Sequence, residues 1–389
     1  MIQWRTQANL PAALLGLLTP RLPQMLSVLR AFILAESPSL EKSAVDRCCA
    51  IVAKEWRKRG PRVERLAQKD RGDHLRITWQ SQKSRPAGQL LVLGHYDTVY
   101  ATGTLKSMPF RVSAGKLYGP GTFDMKAGIV QALFALEALQ QLQTPLRKRI
   151  VFLWTSDEEI GSGSSRKLIE AEARRSDAVF VLEPAFGPRG LVKTARKGVG
   201  EAEIIVHGRA SHAGLAPQEG VNAIHELAQQ ITRLQRWNNL RAGITVNADI
   251  IEGGTRVNVI AERARAVIDL RALRLADMRQ LENRLRALRP VTPGARLEIR
   301  GGFNRAPMER RVSAALFVRA KSLAAQMGLV LGECVAGGGS DGNLTAALGI
   351  PTLDGLGAVG DSAHSAHEHV IAETMPQRAA LLAALLAES

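Results

Sequence analysis

His95 and Asp97 stand two residues apart where the apolar run Leu90–Leu93 gives out, in the segment LLVLGHYDTVY. Residues two apart in an extended chain point the same way, so both side chains leave the strand end on one side. A neutral imidazole is a good zinc ligand, and it serves best when a carboxylate holds its other ring nitrogen. Three further segments close on residues of the same kind. GPGTFDMKAG carries Asp124, RIVFLWT runs into Ser156-Asp157-Glu158-Glu159, and AVFVL ends in Glu183-Pro184. A later stretch, Ala363-His364-Ser365-Ala366-His367-Glu368, brings another imidazole. Taken singly, each has an ordinary structural reading: a packing or capping histidine, a turn aspartate, a solvated acidic face, the end of a strand. Together they form a donor set suited to two divalent ions bridged by a carboxylate, an arrangement that activates water near neutral pH and polarises a carbonyl. Adjacent Glu158 and Glu159 cannot easily share one ligand direction, so one suits a metal and the other a base facing the cleft.

The elements around these residues define the fold class. Gln24–Leu34 has helical spacing, Glu36–Ser39 reads as a turn, and Ser39 is placed to cap a helix over Leu40–Arg59. Leu75–Trp79, Gln89–Gly94, Arg149–Thr155 and Ala178–Leu182 read as strands, with a helix over Met125–Leu142. Strands alternating with helices predict an α/β layer, and open sheets of this kind place their sites at strand ends. The pattern then changes. Glu201–His207, Ile244–Ile251, Arg263–Arg271 and Arg296–Arg300 read as strands, with helices over Gly220–Trp237 and Leu275–Leu288. That β-α-β-β-α-β order predicts a ferredoxin-like insertion at about 194–307. Helix Val312–Met327, the loop Ala336–Asp341, a strand near Ile350–Leu353 and a last helix from Glu373 return to the first domain. The predicted architecture is therefore α/β: residues 1–193 and 308–389 form a mixed sheet flanked by helices, and an α+β domain is inserted between them.

Composition narrows the function classes. The chain has 389 residues, 46% of them apolar, enough for a substantial core and two or three domains. Three cysteines, Cys48, Cys49 and Cys334, make no disulfide framework; reduced thiols favour a cytoplasmic setting. The formal charge of +16 raises a nucleic-acid reading, but the basic residues are spread along amphipathic helices and aromatics are only 4%. No nucleic acid and no membrane partner is expected, and no stretch reads as long and apolar enough to span a bilayer. Leu10–Leu18, interrupted by Pro11, reads as an extra helix, with a signal sequence as the alternative.

The segments GHYDTV, GPGTFDMKAG, TSDEEIGS, VLEP, ASHAG and GGGSD, with the final His-Ser and its following Glu, resemble the zinc peptidase superfamily of carboxypeptidase G, acetylornithine deacetylase and succinyl-diaminopimelate desuccinylase. The resemblance runs from about residue 25 to the C-terminus in the expected order, and is nearest to the glutamate carboxypeptidase-like branch. It implies two zinc ions per subunit, the first held by His95 and Glu183, the second by Glu159 and His364, with Asp124 bridging. Asp97 would orient His95, and Glu158 would be the general base. The Asp124-Met125 peptide would be cis. The inserted domain would serve as lid and pair two protomers into a homodimer, and His212 would reach the partner's site to stabilise an oxyanion. Asn258 and Arg271 match substrate-holding positions, Arg271 on the α-carboxylate; Gly337, Gly338 and Gly339 would line the cleft, and Arg300 is a weaker candidate for a second carboxylate. Ala127 stands where glycine is common and His369 where an aromatic is frequent; His367 and His369 are not expected to be ligands. The implied reaction is hydrolysis of the amide to a C-terminal amino acid, glutamate or another with a free carboxylate, by a metal-bridged hydroxide. Glu183, where aminopeptidase relatives tend to carry Asp, favours a carboxypeptidase or deacylase. The alternatives are an N-acyl-amino-acid deacylase of the acetylornithine deacetylase type and, from another class, a non-catalytic basic binding protein.

Overall fold

The computed structural model describes residues 9–80 and 87–389. The chain divides into two compact units: one holds the described residues to Thr194 with Arg310–Val335 and Ser340–Ser389, the other Ala195–Glu309 with Ala336–Gly339. The first unit begins with α1 (Leu10–Leu18), α2 (Leu22–Leu34), α3 (Lys42–Arg57), β1 (Arg62–Leu66), β2 (His74–Trp79) and β3 (Gln89–His95). It continues with β4 (Arg111–Ser113), β5 (Lys116–Tyr118), α4 (Ala127–Gln141), β6 (Arg149–Thr155), α5 (Arg166–Ala173), β7 (Ala178–Val181) and β8 (Val192–Arg196), on which the chain passes into the second unit.

Strand β3 is buried at every position, as a strand covered on both faces must be. Its alternation sorts side chains between two cores. Leu90 and Val92 join Phe152, Phe180 and the faces of α2 and α4, while Leu91 and Leu93 join Val151, Val181 and Ile169 of α5. The six-stranded sheet has the order β1-β2-β6-β3-β7 and then β14 (Thr352–Leu353). Strands β6, β3, β7 and β14 are parallel, whereas β1 and β2 are antiparallel additions at one edge. Of these, β6, β3 and β7 deliver their C-terminal ends side by side to one rim of the sheet.

Residue Ser39 departs from the expected helix cap. Helix α3 starts at Lys42 with Glu41 at its N-cap, and Ser39 is drawn instead to the loop after β3 by hydrogen bonds to Asp97 and Thr98. The N-terminal segment also departs from expectation. With the turn Thr19–Arg21, α1 and α2 form a helical stretch of 25 residues, Leu10–Leu34, long and apolar enough by length and composition to cross a membrane. Prolines 11, 20 and 23 do not interrupt it, because each sits in a first turn where no N–H is required. One face, with Leu14, Leu18, Met25, Leu29 and Phe32, is buried in the larger core.

The second unit runs β9 (Gly198–His207), α6 (Ala223–Gln235), β10 (Thr245–Gly253), β11 (Arg263–Ala272), α7 (Leu275–Arg286) and β12 (Arg296–Arg305). Its antiparallel sheet has the order β10-β11-β9-β12. Ile204, Val206, Ile268 and Leu270 of the sheet pack with Leu227 of α6 and Leu281 of α7 in a separate core. This is the ferredoxin-like order expected from the alternation of strand and helix patterns. The chain then completes the first unit with α8 (Arg310–Gln326), β13 (Glu333–Ala336), α9 (Asp341–Ala347), β14, β15 (Gly360–Asp361), β16 (His369–Ile371) and α10 (Thr374–Glu388). Strands β15, β16, β5 and β4 form a small sheet of their own in that order.

Candidate metal centre

The rim of the parallel strands gathers the donors. His95 is the last residue of β3, Glu158 and Glu159 lie in the turn after β6, and Glu183 follows β7 by two residues. Asp124 sits in the irregular turn before α4, and His364 in the loop between β15 and β16. Gly94 explains how the Asp124 turn comes so near: a β-carbon there would stand 2.5 Å from the Met125 methyl, and the Met125 sulfur accepts the His95 N–H at 3.3 Å. The Asp124-Met125 peptide is cis. Lys126, fully buried, donates to the carbonyls of Phe32 and Ala35 at the end of α2, anchoring the turn from its other side.

Asp124 faces both imidazoles. Its Oδ1 lies 3.3 Å from His95 Nε2 and its Oδ2 lies 3.4 Å from His364 Nε2. Glu183 Oε1 is 3.6 Å from His95 Nε2, and Glu159 Oε1 is 3.2 Å from His364 Nε2. Donor atoms of His95, Asp124 and Glu159 lie within 4.8 Å of one another, as do those of His95, Glu158 and Glu183. The other three residues named from sequence as ligands, Glu159, Glu183 and His364, thus surround His95 and Asp124, and Glu158 stands in the same group.

The charges bear on what this cluster could hold. Burial opposes a charge on His95, yet Asp124, Asp97 and Glu183 outweigh it and hold its pKa well above the usual value. The carboxylates of Asp124 and Glu159 push His364 up to about 10. Burial works against the Asp124 carboxylate too, but the two imidazoles hold its carboxyl far below the usual range; for Glu159 burial prevails and the shift is upward. Within hydrogen-bonding range, the Nδ1 of His95 meets the carbonyl of Asp97 at 3.0 Å. With a neutral ring donating there, the Nε2 lone pair would face two carboxylate oxygens, a convergence of acceptors that suits a cation. Two imidazoles with three carboxylates are a hard-to-borderline donor set that fits divalent zinc.

Asp97 stands beside His95, the ring it was expected to orient, and has further partners as well. Its carboxylate is 3.4 Å from His95 Nδ1, farther than its own backbone carbonyl. Its oxygens instead accept the N–H of Glu158 at 3.3 Å, the N–H of Glu159 at 3.2 Å and the Ser39 hydroxyl at 2.7 Å. Asp97 therefore meets His95 through its main chain at the shorter distance and through its carboxylate at the longer one, and it holds the Glu158-Glu159 turn through its side chain. Sequence reading missed Ser39 because the partner lies 58 positions away.

Residues assigned to substrate lie in the second unit. His212 accepts the N–H groups of Gly214 and Leu215 on Nδ1, each at 3.1 Å, so its neutral ring carries the proton on Nε2, an outward-facing donor. Asn258 is exposed, and its carbonyl accepts the Ala213 N–H at 2.9 Å, which ties its loop to that of His212. Arg271 is already engaged: its Nε and a terminal nitrogen embrace Asp269 at 2.8–3.0 Å. Arg300 pairs likewise with Glu298 at 2.6 Å. The carbonyls of Gly338 and Gly339 accept from the buried Arg196 at 3.1 and 3.2 Å.

Residues 91–388 match the family model described as peptidase family M20/M25/M40. The chain is 32% identical over 314 residues to carboxypeptidase G2 of Pseudomonas sp. (strain RS-16), covering 78% of this chain and 74% of that protein. Among solved structures it resembles aminopeptidase PepT from Bacillus cereus, with a TM-score of 0.76 at 23% identity over 95% of this chain and 98% of that one. It also resembles a dinuclear metal binding peptidase of the M20 family from Bacillus subtilis, with a TM-score of 0.71 at 17% identity over 96% and 98%. The chain belongs to peptidase family M20/M25/M40 and is a hydrolytic metallopeptidase.

Proposed function

We propose that this enzyme hydrolyses the amide to a C-terminal amino acid bearing a free carboxylate, glutamate among the candidates, with two zinc ions and as a homodimer in the cytoplasm. The observation that carries the reading is Asp124 set between two histidines, one carboxylate oxygen toward each, with Glu158 beside them. His95 and Glu183 would hold one ion, Glu159 and His364 the other, and Asp124 both. When bound, such a pair supplies a water that ionises near neutral pH and a Lewis acid for the scissile carbonyl. Glu158 takes the water's proton and returns it to the departing amine. The Nε2–H of His212, from a second copy of the chain, donates to the oxygen that gains charge as the carbonyl becomes tetrahedral. Arg271 meets the substrate's carboxylate by exchanging Asp269 for it, one charge-assisted pair for another.

Pairing with a second copy is supported by β10, an edge strand exposed from Asn247 to Gly253, with Ile250 and Ile251 50% and 60% exposed. An apolar edge of this length invites a further strand. The name of the Pseudomonas relative favours a carboxypeptidase over a deacylase. The test is a panel of α- and γ-linked dipeptides and N-acyl amino acids offered to zinc-loaded enzyme, each with a free or an amidated C-terminus. Release of the C-terminal residue from dipeptides, abolished by amidation, is the expected result. Preference for simple acyl groups would make the enzyme a deacylase, and indifference to amidation would remove the carboxylate from recognition.

A further inference from the structure

Glu368 and Tyr100 are not metal donors, yet they join the two segments on which donors stand. Glu368 is fully buried. Its Oε1 accepts the backbone N–H of Phe123 at 2.7 Å and that of Asp124 at 3.1 Å. Its Oε2 accepts the Tyr100 hydroxyl at 2.5 Å, and that hydroxyl also stands 3.0 Å from the Ser365 carbonyl. One carboxylate thus gathers the loop after β3, the turn carrying Asp124 and the loop carrying His364. Both of its oxygens are spent on protein donors, which leaves it outside the ligand set.

The His364 loop needs such ties. Ser362 and His364 adopt φ of +65° and +61°, the left-handed region that a β-carbon disfavours. His364 is also the more exposed of the two imidazoles, 49% against 1% for His95. Packing fixes His95 at the end of a buried strand, whereas His364 depends on the bonds around its loop. We infer that Glu368 and Tyr100 form a clamp that positions the bridging Asp124 against His364, so that the second ion's site is assembled by residues that never touch the ion. The inference rests on the two-ion reading above.

The test uses the full chain stripped of metal, with three variants: E368A, E368Q and Y100F. Each is titrated with Zn2+ by calorimetry and with Co2+ by visible absorption, whose d–d bands report coordination geometry, and the metal-free melting temperature is recorded. E368A and Y100F should weaken the later binding step by roughly 10- to 100-fold, the range for partners that orient ligands, and alter its cobalt bands. E368Q keeps an acceptor for both N–H groups and lets the Tyr100 oxygen accept from its amide, so its titration should follow the parent. Parent-like affinity and spectra in E368A and Y100F would overturn the clamp. So would E368Q behaving as E368A does, since geometry would then not be what Glu368 provides. If E368A does not fold, as its metal-free melt would show, Y100F and E368Q decide by the same criteria. A parent that takes one ion sinks the two-ion reading alone, and the clamp is then judged on that ion's affinity, because Asp124 faces both histidines. A parent that takes none sinks both.

Discussion

Asp97→Asn separates two ways in which one buried carboxylate can serve the site. The aspartate is fully buried and accepts from the Glu158 and Glu159 N–H groups and from the Ser39 hydroxyl, while the shorter contact to His95 comes from its own backbone carbonyl. Asparagine keeps one acceptor oxygen and sets an NH2 group against at least one of those donors. The loss of one hydrogen bond to a charged acceptor is worth about 1.5–3 kcal/mol, or roughly 10- to 150-fold in rate if it is expressed in the transition state. Because the turn that moves carries the proposed base, kcat should fall by that amount. The backbone carbonyl is untouched, so the ion at His95 should bind as in the parent. Steady-state kinetics at saturating metal, with metal affinity measured separately, would read both quantities. A variant whose kcat recovers fully once metal is raised, with affinity reduced tenfold or more, would refute this division of labour and return the carboxylate to His95.

Three other outcomes are expected. Mixed dimers of His212→Ala and Glu158→Ala should recover about a quarter to a half of parental activity by counting of intact composite sites, and no recovery would count against a shared site. His74 is buried between Ser156 and Ser164, and burial pushes its pKa below the ordinary 6.5, against the pull of Asp157. The unfolded chain then binds the proton more readily, so the stabilisation is present above pH 6.5 and is lost as the pH falls through the lower folded value. Melts between pH 8 and 5 should show this slope, and His74→Gln should flatten it; an unchanged slope would show that the histidine is not its source. Burial raises the Cys49 thiol to about 11 and Cys48 is buried as well, so iodoacetamide at pH 8 should label the half-buried Cys334 in native protein and all three after denaturation. Equal native labelling of Cys49 would contradict its burial.

Three of the proposed donors were legible in the sequence because each follows an apolar run whose length and composition mark where a strand must stop. His95, Glu159 and Glu183 follow buried strands, and parallel pairing of β3 with β6 and β7 is what turns three sequence endings into one rim. The second unit was legible for a like reason, in the change to strands with alternating burial such as β11. What escaped is long-range. Ser39 has a helix-capping context by sequence, and nothing local says that its hydroxyl will be taken by Asp97. Glu368 is visible by sequence only as part of a motif, since its partners are two backbone N–H groups some 245 residues away and the still more distant Tyr100 hydroxyl. The engagement of Arg271 was within reach: Asp269 lies two positions earlier on the same strand, and side chains two apart share a face. The short strands β4 and β15 offer two or three residues each, too few for any period to appear. Pro11 interrupts the apolar run by sequence, although at a first-turn position it is compatible with the helix that was expected there.

The insertion between Glu183 and His364 sets an order in which the cage is made. Translation delivers four donors early, and the fifth emerges only after the whole of Ala195–Glu309 has been synthesised. N-terminal segments fold first on the ribosome. On the two-ion reading, a nascent chain would therefore hold four of the proposed donors before the last histidine is made. The same arrangement leaves all five candidate donors outside the inserted unit, which can diverge in shape and surface without altering them.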